Sequence, residues 1–106
     1  MTAQAETADR VRALLAHEKA VREVAMFGTR SFMVREQLLV GALRTGGLLV
    51  RVDPDRHGEL TTRPGARQAT MGTGRDMGAG WIEVEPEALS GAGLALWVDV
   101  ALARRG

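Results

Sequence analysis

Between residues 21 and 52, apolar and polar side chains alternate with a period of two, in runs broken at 28–30, at Arg35-Glu36 and at Thr45-Gly46-Gly47. Such alternation marks half-buried strands, and connections this short join strands that are neighbours in the sheet. The segment is therefore expected to form an antiparallel meander, with 31–34, 37–43 and 48–52 pairing in order. Phe32 and Val34 fall on one face, as do Leu38, Val40 and Ala42 together and Leu48, Val50 and Val52 together, which supplies a buried side. Met33, Leu39, Leu43 and Leu49 fall on the other, more apolar surface than a solvated face requires. Met33, Leu39 and Leu49 are thus expected to form a homodimer face.

Helical spacing flanks the meander. Val11, Leu14 and Leu15 predict a helix over 8–19, with Thr7 as N-cap, Asp9 in the first turn and His17 in water. Asp53-Pro54 starts a short helix to about residue 60, since Asp caps free amides and Pro suits the first helical position. Short strands are expected over 68–71 and 81–84, then a helical turn at 85–89. Leu94, Trp97, Val98, Ala101 and Leu102 give the widest amphipathic stripe, a last helix capped by Ser90 and running to about 104, with Arg104 and Arg105 favouring its C-terminal end. Gly91 and Gly93 weaken its first turn by up to about 1 kcal/mol each, which packing of Trp97 must offset.

Composition then narrows the function. The 106 residues suit one domain spanning 1–106, and the absence of cysteine removes disulfides, thiolate metal sites and thiol nucleophiles. No apolar run approaches the roughly 20 residues of a membrane span, so no membrane contact is expected. Glu6, Asp9, Arg10 and Arg12 stand where a signal peptide needs an apolar stretch, so a cytoplasmic location is expected. A net charge of +1, with two tryptophans and two phenylalanines, provides little field or stacking surface for nucleic acid. The central residues 26–80 are mildly basic, with eight arginines against five acids. Among them Arg30, Arg35, Arg51 and Arg75 are the candidate anion contacts, and any nucleic-acid binding through them is expected to be weak and salt-dependent.

Candidate catalytic groupings fail on local grounds. Asp53, Asp55 and His57 alternate like metal ligands on a strand, but Pro54 makes the segment a helix start that sends them to different sides. The run 72–78 carries Met77 where a dinucleotide fingerprint needs glycine, and Lys19, the only lysine, lies outside any Walker loop. Neither Ser31 nor Ser90 sits in a nucleophile elbow. No catalytic residue, metal or cofactor is assigned.

Several short pieces in fixed order carry a resemblance. They are Met26-Phe27-Gly28 after the first helix, Phe32 shortly beyond, the 48–53 strand ending at Asp53, Met77 ahead of the Trp81 strand, and Glu85-Pro86-Glu87-Ala88-Leu89 before the last helix. In these the chain resembles the N-terminal domain of the TfoX/Sxy family of bacterial competence regulators, with Thr29 standing where the family repeats glycine. The resemblance implies a stand-alone N-terminal domain, without the C-terminal helical domain of longer members. Its implied fold is α+β: a two-layer α/β sandwich, secretion-chaperone-like, with helices packed on one face of an antiparallel sheet. In that fold Met26, Phe27 and Phe32 are expected in the core, Gly28 as a backbone requirement, and Trp81 and Trp97 as packing anchors. The reading is a non-enzymatic interaction and regulatory module, a homodimer with an unidentified protein partner. Nucleic-acid contact is the alternative, and a small-molecule binder or enzyme using the 72–80 loop a more distant one.

Overall fold

A computed structural model describes residues 2–71 and 74–104. The chain runs through α1 (Ala3–Leu14), β1 (Val21–Met26), β2 (Thr29–Val34), β3 (Gln37–Ala42) and β4 (Leu48–Arg51). After a 3-10 turn (Pro54–Arg56) come α2 (His57–Leu60), β5 (Ala66–Gln68), β6 (Thr70–Met71), β7 (Arg75–Asp76) and β8 (Trp81–Val84). A second 3-10 turn (Pro86–Leu89) leads into α3 (Gly93–Leu102). Six strands form an antiparallel sheet in the order β1-β2-β3-β4-β8-β5, while β6 and β7 pair separately. The fold is the expected α+β arrangement, and α1 and α3 lie side by side on one face of the sheet.

The core lies between these layers. Val11 of α1 and Leu94, Trp97 and Val98 of α3 meet Phe32, Val40, Val50 and Ile82 from successive strands. The alternation of the meander explains the strands, because Phe32 is opposite Val40, Val40 opposite Val50, and Val50 opposite Ile82 on the helix-covered side.

The structure corrects the sequence reading at several places. α1 begins five residues earlier than expected: Thr2 is its N-cap, the hydroxyl accepting from the Ala5 amide at 3.0 Å. Thr7 is instead inside the helix and buried, its hydroxyl donating to the Gly46 carbonyl at 2.7 Å. Alanine and glutamine at 3–5 are strong helix formers and carry the helix back to Thr2. Asp9 therefore lies mid-helix, bonded to Arg12. Ser90 does not cap α3; its hydroxyl donates to the Glu87 carbonyl, and α3 starts from Ala92 without a side-chain cap. Asp53 does cap the Pro54 turn, accepting from the Asp55 amide at 2.9 Å. Arg105 and the first residues of the 72–80 loop lie outside the described residues.

A β-bulge reshapes the expected dimer face. Phe32 pairs with Val40 but Met33 pairs with Leu38, so Leu39 is one residue too many in β3. The extra residue inverts the face parity beyond it. Leu39 turns into the core, 8% exposed, while Leu38 joins Met33 on the opposite side. A face of Met33, Leu39 and Leu49 therefore does not exist; Met33, Leu38 and Leu49 are half-buried there beside Arg51 and Trp81.

Candidate interaction surface

The largest departure from expectation is at the β1–β2 turn. Phe27 is fully exposed and Met26 is 38% exposed, so neither belongs to the core. The reason is local geometry. Phe27 and Gly28 are the two central residues of a hairpin loop, both with positive φ, +53° and +78°, which is a type I′ turn. Glycine takes this backbone readily; an aromatic residue does not.

The turn is held from the inside. Gln4 of α1 donates from Nε2 to the Gly28 carbonyl at 2.7 Å and to the Ala42 carbonyl at 2.9 Å, tying the hairpin tip to β3. The Arg44 guanidinium lies where a β-carbon on Gly28 would sit, 2.7 Å from Nε. Gly28 is thus a backbone requirement in both conformation and space. These contacts sustain a strained turn whose benzyl group projects into water.

β1 is also an edge strand. Among the described residues, the large exposed apolar side chains are Val21, Met26, Phe27 and Leu96, and three of these four belong to β1 and its turn. The edge charges are compensated within the chain. Glu23 takes Arg12 at 2.9 Å and Arg30 at 3.0 Å, and Arg22 pairs with Glu36 at 2.7 Å. The hydrogen bonds that Arg12 donates to the Asp9 and Glu23 carboxylates raise its guanidinium above its ordinary range.

The remaining candidate residues are separated by the fold. Phe32 is core, and Asp53 is the cap described above. Trp97 is buried in α3 with the Arg63 guanidinium 5.7 Å from its ring centre. Trp81 is half-buried on the helix-free face, with the Arg51 guanidinium 5.1 Å from its ring centre. Burial there, with Arg104 nearby, lowers Arg51 from its ordinary range. Arg30 is paired with Glu23, Arg35 sits in the β2–β3 turn, and Arg75 is in the separate β6–β7 pair. The four arginines proposed as anion contacts are not brought together. A groove of about 400 Å³ lies between the β2–β3 turn and the end of α3, lined by Val34, Leu38, Leu39 and Leu102 together with Arg35 and Arg104.

Sequence reasoning missed one polar cluster. His57 at the start of α2 accepts at Nδ1 from the Gly80 amide, 2.9 Å, and its Nε2 lies 2.7 Å from Gln68 Oε1. The Gln68 amide nitrogen donates to the carbonyls of Ala69, Gly78 and Trp81, so its oxygen faces the ring. That arrangement selects a neutral imidazole protonated at Nε2. The ring stitches α2 to β5 and to the entry of β8, a structural role rather than a ligand's. Long-range proton–nitrogen NMR spectra at neutral pH are expected to show the Nε2–H tautomer of His57. Equal populations of the two tautomers would contradict the assignment. Among the described residues, no group of three His, Asp or Glu side chains is arranged to hold a metal ion.

Fold and surface together define a small α+β domain with an apolar edge hairpin. The family model of the TfoX N-terminal domain matches residues 13–104, and the chain belongs to that family. No curated protein and no solved structure matches it. No helix among the described residues is long and apolar enough to cross a membrane.

Proposed function

We propose that this TfoX N-terminal domain is a non-catalytic protein-interaction module in a cytoplasmic regulatory setting, and that the β1–β2 hairpin is its contact surface. The observation that carries this reading is Phe27. It is fully exposed on a left-handed backbone that the Gln4 hydrogen bond to Gly28 holds in place. An aromatic residue there adds nothing to the core and is disfavoured by the turn, whereas aromatic side chains at exposed tips are efficient anchors in protein interfaces. The nucleic-acid alternative draws less support, because Arg30, Arg56 and Arg67 are each paired with a carboxylate, Glu23, Glu59 and Glu83.

Replacing Phe27 with asparagine separates binding from folding. Asn-Gly is a favoured type I′ pair, so Phe27→Asn is expected to melt at or slightly above the parent temperature. Immobilised parent protein should retain at least one protein of its native host that the variant releases. Identical captured sets from the two would overturn the hairpin as the contact surface.

A further inference from the structure

The hairpin also specifies what kind of partner fits beside it. In a two-residue hairpin the flanking pair, here Met26 and Thr29, exchanges backbone hydrogen bonds, and bonded pairs then alternate along the strands. Val24 with Ser31 and Arg22 with Met33 are therefore bonded pairs, and the bond from the Arg35 amide to the Ala20 carbonyl continues the same series. The amides and carbonyls of Val21, Glu23 and Ala25 consequently point away from the sheet. An edge of this kind is a template for another strand.

We infer that the occupant is the β1 strand of a second copy of this chain, joined antiparallel across a two-fold axis at Val24 to make a continuous twelve-stranded sheet. The inference deepens the interaction reading above and rests on it.

The choice of a second copy comes from self-complementarity. An antiparallel pairing of β1 with itself must match outward-pointing residues with outward-pointing residues, which leaves a two-fold axis at residue 23 or at residue 24 as the registers that overlap most of the strand. An axis at 23 sets Glu23, with its Arg12 and Arg30 partners, directly against Glu23 of the partner subunit, crowding two identical ion-paired clusters at the axis. An axis at 24 removes that conflict. Val24 then faces its own symmetry mate, Glu23 faces an alanine, and Arg22 faces a methionine. The Phe27 turn lies just past the end of the pairing, on the side of the partner's Val21, so two exposed apolar side chains come to the same end of the interface. Met26 gains a cross-strand neighbour, and Glu23 enters with its ion pairs to Arg12 and Arg30 already made. The sequence 21–26 contains no proline or lysine to block an edge.

Light scattering after gel filtration at hundreds of micromolar is expected to give about twice the 11.4 kDa chain mass. Amide exchange locates the contact. The amides of Glu23 and Ala25 should slow by about tenfold or more as protein concentration rises through the dimerisation range, while those of Arg22 and Val24 keep the protection that the hairpin already gives them. Ala25→Pro removes an amide that only the intermolecular pairing uses, and Val24→Lys sets two cations across the axis; both should be monomers with the parent's circular dichroism. Should either variant fail to fold, exchange in the parent protein still decides the matter.

A parent protein that stays monomeric at these concentrations overturns the inference. So does a dimer that persists in both folded variants, or one that protects Met33, Leu38 and Leu49 instead. If the parent is monomeric while Phe27→Asn still loses a captured host protein, the interaction reading stands and only the identity of the partner is wrong.

Discussion

Replacing Trp97 with alanine is expected to remove about 3 to 5 kcal/mol of stability, a large part of the roughly 5 to 15 kcal/mol that a domain of this size possesses. The indole is 4% exposed and lies in α3 between the sheet and the loop that carries Arg63. Truncation would leave a large cavity among Leu94, Val98 and the strand residues of the same core, and would strip Arg63 of the ring over which it rests. Thermal denaturation measures the loss. In a Trp81→Phe background, Trp97 should emit at short wavelength and resist acrylamide. A Trp97→Ala protein that melts like its parent would show that the ring does not anchor the helix layer.

The second large effect is at Gly93, and it runs against helix propensity. Alanine at the start of α3 would ordinarily stabilise the helix by about 1 kcal/mol. Here a β-carbon on Gly93 would run into the carbonyl oxygen of Ala88, a backbone atom that cannot move aside without dragging the preceding 3-10 turn. Gly93→Ala is therefore expected to cost about 3 kcal/mol. The neighbouring Gly91 has φ +57°, a left-handed backbone that glycine takes most readily, so it too is favoured where propensity alone marks it as a weakness. Gly58 in α2 is the control. Nothing lies within 4 Å of its prospective β-carbon, and Gly58→Ala should raise stability by about 0.5 to 1 kcal/mol. Urea denaturation of the two variants decides the point: losses of equal size, or a gain at Gly93, would rule out the close approach to Ala88.

These cases show which properties were readable in the chain. Alternation and short polar breaks predicted the meander, since face and neighbour are local consequences of a period of two and of turn length. Asp53-Pro54 predicted its helical turn for a similarly local reason, and the stripe around Trp97 predicted the buried side of α3. Motif order pointed to the TfoX N-terminal domain, and the family match over 13–104 bears that out.

The candidate surface was legible only in part. Met26-Phe27-Gly28 stood out as a motif, but an aromatic between apolar neighbours reads as core until the turn type is known. Whether Phe27 points in or out depends on a two-residue loop whose tip is held by Gln4 and lined by Arg44, residues distant in sequence. Leu39 was misplaced because a bulge shifts parity, and no periodicity announces a bulge. The joining of His57, Gln68 and Gly80 came from the packing of α2 against β5 and β8. Periodicity and turn chemistry act over a few residues, so the chain alone determined its strands, its helices and their buried stripes. Which apolar side chain stays in water, and which glycine cannot be replaced, depends on atoms that meet only when distant segments pack, and the tertiary structure decided both.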